Sequence, residues 1–288
     1  MIPEEVRAWL LANGYGELLT SRPVGGGCIN NGTLLGTSER TFFLKTNARA
    51  PGDMFAREAE GLQELRAPGG EPIQDGLKVP EPFLWGKDYL LLEDLTPAPR
   101  GANYWPDFGR QLAFLHRVTR PQFGFYQDNY IGSTPQPNPW TESGFDFFAE
   151  QRLLFQARLA HQRGLFSRDE LGWAERLAAR LPDLIPAQPA SLIHGDLWSG
   201  NVIADSQGRP AVIDPAAHYG WAEADLAMTA LFGVFPETFY QAYQEVRPLE
   251  GDFWDRFPIY NLYHLLNHLN LFGRGYLGQV TSILRKYR

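Results

Sequence analysis

The sequence predicts an α+β chain in two lobes: an N-terminal antiparallel β-rich lobe carrying one helix, then a mainly helical C-terminal lobe. Three observations predict it. Short β-rich runs separated by glycine and proline turns dominate the chain up to about Leu95, interrupted by one helical stretch. From Tyr104 onward, apolar residues recur mostly at helical spacing. Between these regimes, Glu93-Asp94-Leu95-Thr96-Pro97-Ala98-Pro99 turns an apolar strand into a proline-rich connector. The expected division is therefore 1–95 and 96–288, and 288 residues are enough for two such bodies.

In chain order, residues 3–13 read as a short amphipathic helix, with Pro3, Glu4 and Glu5 at its start and Val6, Trp9 and Leu10 at helical spacing. A strand at Leu18–Val24 opens onto Gly25-Gly26-Gly27-Cys28-Ile29-Asn30-Asn31-Gly32, and Thr33–Gly36 reads as the returning strand. Glycines between two strands let backbone amides approach a phosphate closely, although an ordinary glycine hairpin fits the same residues. The loop is not a P-loop, since Thr33 stands where that motif needs lysine. Nor is it a dinucleotide fingerprint, because Asn30 occupies the third glycine position and no βαβ unit follows. Thr41–Lys45 is a β-rich run ending in a lysine. The helix at Asp53–Arg66 places Phe55, Ala59, Leu62 and Leu65 on one face, with Glu58 and Glu60 both available to Lys45 and Glu58 favoured. Strands follow at Phe83–Trp85 and Tyr89–Leu92.

Beyond the connector, Phe108, Leu112, Leu115 and His116 mark a helix. Residues 124–140 form a stretch too aromatic and polar for a spacer, and its length suggests a binding loop. Helices are expected at Gly144–Gln162 and Ser167–Arg180, short strands at Val202–Ala204 and Ala211–Ile213, and helices to the end.

The chemistry concentrates in Ile193-His194-Gly195-Asp196-Leu197-Trp198-Ser199-Gly200-Asn201 and in Val212-Ile213-Asp214-Pro215-Ala216. An Asp and an Asn five positions apart, then an Asp closing an apolar run, match the polar core of a kinase. In that template Asp196 accepts the proton of the attacking hydroxyl, while Asn201 and Asp214 hold Mg²⁺ against the phosphates of ATP. Phosphoryl transfer needs position, a base and fixed charge more than covalent help, which explains these residue types. Asp196 needs no raised pKa for this, because the hydroxyl loses its proton late to a neighbour already in reach. Lys45 then falls where a kinase fold carries its phosphate-binding lysine. Adenine is expected against the backbone of Glu93, Asp94 and Leu95, through the Glu93 carbonyl and the Leu95 amide.

Composition narrows the function further. With 33 acids against 26 bases, the net charge of −7 excludes a broad basic face for nucleic acid, so a phosphate site must make its positive potential locally. There is no 18-residue apolar run, and the opening Met1-Ile2-Pro3-Glu4-Glu5 is acidic, so no membrane partner is expected and the cytoplasm fits best. One cysteine excludes an internal disulfide and any multi-cysteine metal site.

Smaller features have two readings each. His264 and His268 have zinc-compatible spacing, but Leu265 replaces the glutamate of that motif, which leaves packing or capping roles. His194 is expected to orient its turn, and Asp225 to tie the metal loop to the catalytic loop. Trp198 either fills its turn or stacks on a sugar. Cys28 either fills a turn or, as a thiolate near Lys45, provides a redox-sensitive link between two chains.

These motifs together resemble the fructosamine-3-kinase/ketosamine-3-kinase family, within the aminoglycoside-phosphotransferase and choline-kinase group of the protein-kinase-like fold. The resemblance rests on Gly-Gly-Gly-Cys-Ile-Asn (25–30), Phe-Leu-Lys-Thr-Asn (43–47), Met-Phe-Ala-Arg-Glu (54–58) and His-Gly-Asp-Leu-Trp-Ser-Gly-Asn-Val (194–202). It continues through Asp-Pro-Ala (214–216), Tyr-Gly-x-x-Glu-x-Asp-Leu-Ala (219–227), Leu-Phe-Gly-x-Phe-Pro (231–236) and Leu-Asn-His-Leu-Asn (266–270). It implies ATP- and Mg²⁺-dependent phosphorylation of the 3-hydroxyl of a ribulosamine, erythrulosamine or fructosamine adduct, on a protein or a small molecule, amounting to deglycation. It also implies Asp196 as base, Asn201 and Asp214 as metal ligands, and Lys45 with Glu58 at the phosphates. Gly26, Gly27, Cys28, Ile29 and Asn30 would form the nucleotide loop, Trp198 would lie against the sugar, and Cys28 would decide between a monomer and a redox-sensitive dimer. Relative to protein kinases, Asp-Pro-Ala replaces the usual metal-loop triplet and no activation segment is evident, which favours a constitutively assembled site. A phosphotransferase for aminoglycosides or choline is the rival enzyme, and a silent nucleotide-binding module the rival of another class. A cationic acceptor calls for clustered acids, and the 124–140 loop offers only Asp128.

Overall fold

The computed structural model describes residues 2–25 and 30–287. Helix α1 (Glu4–Ala12) leads into five strands: β1 (Thr20–Val24), β2 (Asn31–Gly36), β3 (Thr41–Thr46), β4 (Pro82–Trp85) and β5 (Tyr89–Glu93). They form one antiparallel sheet in the order β1-β2-β3-β5-β4, with α2 (Met54–Arg66) inserted between β3 and β4. Alternation along the strands decides what each face meets. Phe42, Leu44 and Leu91 join Val6 and Leu10 of α1 in a small core, with Trp9, Tyr15 and Phe83 packed around it. Leu90 and Leu92 belong instead to the main core with Phe55, Ala59, Leu62 and Leu65 of α2, the apolar face expected from their spacing. Phe43 and Lys45, on the opposite face of β3 from Phe42 and Leu44, line a cleft.

The second lobe begins with α3 (Tyr104–His116) and the short β6 (Thr119–Arg120). The stretch expected as a loop contains a hairpin, β7 (Asn129–Ile131) and β8 (Thr134–Gln136). Helix α4 (Gly144–Asp146) passes through a π-helical segment (Phe147–Leu154) into α5 (Phe155–Gln162), where the sequence pattern predicts one uninterrupted helix. The wider turn accommodates Arg152, which is 1% exposed and bonds outward to the Pro137 carbonyl and Asn138 Oδ1 of the hairpin arm. Helix α6 (Arg168–Ala179) starts with a capping box of Ser167 and Glu170 and is followed by α7 (Leu181–Leu184).

Strand β9 (Ala190–Ile193) lies between β6 and β12 (His218–Gly220), and β10 (Val202–Ala204) pairs with β11 (Pro210–Val212). Helices α8 (Ala222–Met228), α9 (Glu237–Val246), α10 (Phe253–Phe272) and α11 (Leu277–Leu284) complete the chain. Strands β6, β9 and β12 are too short, and too buried among helices, to leave a period-2 signal in the sequence. Among the described residues, no helix is long and apolar enough to cross a membrane.

Candidate active site

A cleft of about 490 Å³ separates the sheet from the helical lobe. Two loop features build its floor. The loop after β9 carries His194–Asn201, and the segment after β11 carries Asp214. The two are fastened together by Ile213 N–H to the Asn201 carbonyl (3.0 Å) and Ala216 N–H to the His194 carbonyl (2.9 Å). Gly195 permits this approach: its φ is +81°, and a Cβ there would lie 2.2 Å from the Ala216 carbonyl oxygen.

Buried groups hold this turn. The Asp225 carboxylate accepts from the amides of His194 (2.7 Å) and Gly195 (2.8 Å) and contacts His116 Nε2 at 3.2 Å. Burial would raise Asp225, but its bonds from His116 and the charges around it outweigh that and keep it low. Asp225 therefore ties the His194–Asn201 loop to α3 and not, as expected, to the Asp214 segment, which is joined through backbone. His194 Nε2 meets the Ile213 carbonyl at 3.0 Å and its Nδ1 accepts from the Asp196 amide, so it orients the turn as expected.

Asn201 Nδ2 donates to both the Asp196 carbonyl (2.8 Å) and Oδ2 (3.0 Å), which leaves Asp196 Oδ1 facing the cleft. Burial pushes the Asp196 carboxyl up to about 7; the Asn201 bond opposes this, and the nearby charges of Asp214 and Asp225 add to it. Lys45, 5% exposed, donates to Glu58 Oε1 and to Asp214 Oδ1. Burial works against its charge, yet the Asp214 and Glu58 carboxylates hold its pKa above the ordinary lysine value. Burial raises Glu58 against the pull of Lys45. Glu60, the other acid on α2, pairs with Arg57 at 2.7 Å. Asp214 adopts a left-handed φ of +57°, which turns its carboxylate out of the β11 line and toward Lys45.

Asn30, Glu93, Asp94 and Leu95 also line the cleft, with Val24, Leu34, Ile203 and Ile213 supplying apolar walls. Of these only Ile213 lies in a motif, and only the fold brings the four together. The Glu93 side chain accepts from Lys78 (2.6 Å), and Asp94 Oδ2 accepts from Thr41 and Thr96, so both acids brace the connector. Gly26, Gly27, Cys28 and Ile29 lie outside the described residues.

Trp198 also lines the cleft, edge-on to Phe232 (5.9 Å between centroids) and laid over Gly200, whose absent Cβ would fall 2.3 Å from the ring. One stripe of α10 (His264, Asn267, His268, Leu271 and Phe272) faces the same space. The β7–β8 hairpin adds Asn129, Tyr130, Ile131 and Gly132, so the long stretch expected as a binding loop does border the cleft. Tyr130 Oη donates to Asp53 Oδ1 at 2.6 Å, tying the hairpin to the start of α2. Asp128 is occupied by the Asn138 amide at 2.7 Å. Glu223, within the Tyr-Gly-x-x-Glu motif, is buried against Arg256 in a two-pronged ion pair (2.6 and 2.7 Å) and holds α8 to α10.

For a divalent ion, the Asn201 amide oxygen and the Asp214 carboxylate offer hard oxygen donors bordering one cleft. No group of three or more His, Cys, Asp or Glu suited to a metal occurs among the described residues. That donor set fits Mg²⁺, which takes one or two protein oxygens and completes its shell with water and phosphate.

A family model described as fructosamine kinase matches residues 6–288. A probable ketoamine kinase from Synechocystis sp. is 44% identical, over 92% of this chain and 89% of the relative. A chloroplastic protein-ribulosamine 3-kinase from Oryza sativa subsp. japonica is 37% identical, over 99% and 83%. A crystal structure from Thermobifida fusca, provisionally assigned as a fructosamine-3-kinase, superposes with a TM-score of 0.87 at 32% identity over 99% and 98% of the two chains. Choline kinase LicA from Streptococcus pneumoniae superposes at 0.63 with 15% identity over 99% of each chain, a likeness of fold alone.

Proposed function

The chain belongs to the fructosamine kinase family, and we propose that it transfers the γ-phosphoryl group of ATP to the 3-hydroxyl of ketosamines, the sugar adducts that glycation leaves on amines. Ribulosamine, erythrulosamine and fructosamine adducts are the acceptor class, and the phosphorylated adduct then falls from the amine, a repair activity. The observation that carries this reading is the convergence of Lys45, Glu58, Asp196, Asn201 and Asp214 on one cleft from positions far apart in the chain.

The residues divide the work as follows. Lys45, kept cationic and held in place by Glu58, binds the nucleotide phosphates, while the slot of Val24, Leu34, Ile203 and Leu95 takes the adenine beside the Glu93–Leu95 backbone. Residues 1–95 thus serve as the nucleotide lobe and 96–288 as the catalytic and acceptor lobe. Asn201 and Asp214 would hold Mg²⁺, which supplies positive charge at the phosphates. Asp196 Oδ1 receives the proton of the acceptor hydroxyl, and its pKa near 7 suits a base that works near neutrality. Asn201 fixes that carboxylate through Oδ2, so the free oxygen is the one presented. Trp198 gives the sugar an apolar face.

The rival acceptors, aminoglycosides and choline, are cations. Apart from Asp196, the described acceptor-side lining (Trp198, the α10 stripe and the hairpin) carries no carboxylate, and Asp128 is engaged by backbone. That disfavours a polycationic acceptor. The test is incubation with ATP, Mg²⁺ and a panel of glycated amines, aminoglycosides and choline, with products identified by mass spectrometry. Phosphate gained by the ketosamines alone, and lost in Asp196→Ala, is the expected result. Phosphorylation confined to aminoglycosides or choline would overturn the reading.

A further inference from the structure

Two histidines one turn apart on α10 are held differently. His268 Nδ1 bonds the His264 carbonyl at 2.8 Å, so its helix satisfies it. His264 has no such support. The residue is 5% exposed, and its Nδ1 is buried with no hydrogen-bond partner. That nitrogen lies 3.9 Å from Asp196 Oδ1, beyond hydrogen-bond reach. Asp196 Oδ2 is already bonded to Asn201, so Oδ1 and the His264 nitrogen stand as two neighbouring polar atoms, and both residues border the cleft. Burial, with His268 adding to it, holds the imidazole neutral, so the two do not form an ion pair. A buried polar atom left unpaired costs stability, and a slight turn of the ring toward the cleft that His264 borders would let a bound molecule satisfy it.

We propose that His264 Nδ1 receives a second hydroxyl of the acceptor, the one on the carbon next to the hydroxyl delivered to Asp196 Oδ1. Adjacent hydroxyl oxygens of a sugar chain sit about one hydrogen-bond length apart, so a vicinal diol spans this pair with one bond to each atom. In a ketosamine phosphorylated at the 3-hydroxyl, that neighbour is the 4-hydroxyl, because carbon 2 carries the carbonyl. The inference deepens the reading of the site given above and rests on it. It makes the required acceptor a vicinal diol, which a lone alcohol such as that of choline cannot imitate. A neutral imidazole either donates or accepts here, according to tautomer, and both serve a hydroxyl.

The test is a cycle of two substrates and three proteins: a ketosamine and its 4-deoxy analogue, with wild type, His264→Ala and His264→Asn. Wild type should lose about 10- to 100-fold in kcat/KM on the 4-deoxy analogue, and His264→Ala about as much on the parent. His264→Ala should then separate the two substrates by less than about 3-fold, because the lost bonds are the same bond. His264→Asn, whose amide reaches the position of Nδ1, should recover part of the loss on the parent, with KM for ATP unchanged throughout. Losses that simply multiply would make His264 a packing residue and overturn the proposal. Should His264→Ala fail to fold, equal kcat/KM of wild type on the two substrates overturns it alone. Absence of any phosphorylated product from the parent with wild type would sink the ketosamine reading as well, which separates the two failures.

Discussion

The two walls of the cleft are built on opposite electrostatics. On the sheet side Lys45 and Glu58 form an ion pair largely withdrawn from water, and Lys45 reaches across to Asp214 of the other lobe. On the helical side stand Trp198, Asn267, two imidazoles whose pKa values burial lowers, and the Tyr130 hydroxyl, with Asp196 at the seam. The difference is one of ligand chemistry. Fixed charge is useful where a polyphosphate must be gripped, and it is strongest where solvent is excluded. Neutral hydrogen-bonding groups and rings suit a polyol, whose members are told apart by which hydroxyls they carry.

The strongest way to sharpen this contrast is at the seam. Asp196→Asn should lower kcat by roughly 10²- to 10⁴-fold, the range for loss of a positioned base, while nucleotide affinity stays within about 2-fold. A matching loss of ATP binding, measured by calorimetry, would place Asp196 on the nucleotide wall instead.

Lys45→Ala comes next. It leaves Glu58 buried without its cation, so ATP binding should fall and stability should drop by about 3 kcal/mol in urea unfolding. An unchanged urea midpoint would show that the charged wall is not under the electrostatic tension its burial implies.

The pH profile should follow the seam residue. As the proposed base, Asp196 must be deprotonated, and burial pushes its pKa up to about 7, so kcat/KM should rise about tenfold per pH unit below 7 and level off above it. Stability runs the other way. Because the folded pKa is raised above 3.8, proton binding favours the fold, and this contribution is complete below 3.8 and lost as pH rises through 7. Asp196→Asn should therefore melt higher than wild type above pH 7, with the gap closing toward pH 4. A constant gap across that window would count against the raised pKa.

Tyr130→Phe should have the smallest effect. Removing the bond to Asp53 should cost about 1 kcal/mol or less and raise the acceptor KM a few-fold. If the KM for ATP moves equally, the hairpin couples the two walls through α2, and the comparison drawn here is too sharp.

How much of this was readable beforehand differs between the walls. The charged groups and the seam were legible because they sit in local patterns: Lys45 ends a β-rich run, Asp196 and Asn201 share one loop, and Asp214 closes an apolar strand. The acceptor wall was not, because α10 also buries polar residues that bond to other elements, Asn261 and Asn270 among them, so polarity alone does not single out its cleft-facing stripe. His264 read as a packing histidine for that reason. Its significance comes from Asp196, 68 positions away in sequence and 3.9 Å away in space. Asp225 is structural, as its motif suggests, but it ties the His194 turn to α3 instead of to the Asp214 segment, and nothing local links it to His116, 109 residues earlier at the end of a helix.

By itself, then, the order of residues determined the α+β class, most element positions and the chemical types at the phosphate side. It did so because side-chain periodicity and turn chemistry act over a few residues. The π segment that carries Arg152, the hairpin tied to α2 and the facing of His264 on Asp196 were decided only by tertiary packing. Each depends on the angle at which one element meets another, and that angle is set by the whole core rather than by any neighbouring residue.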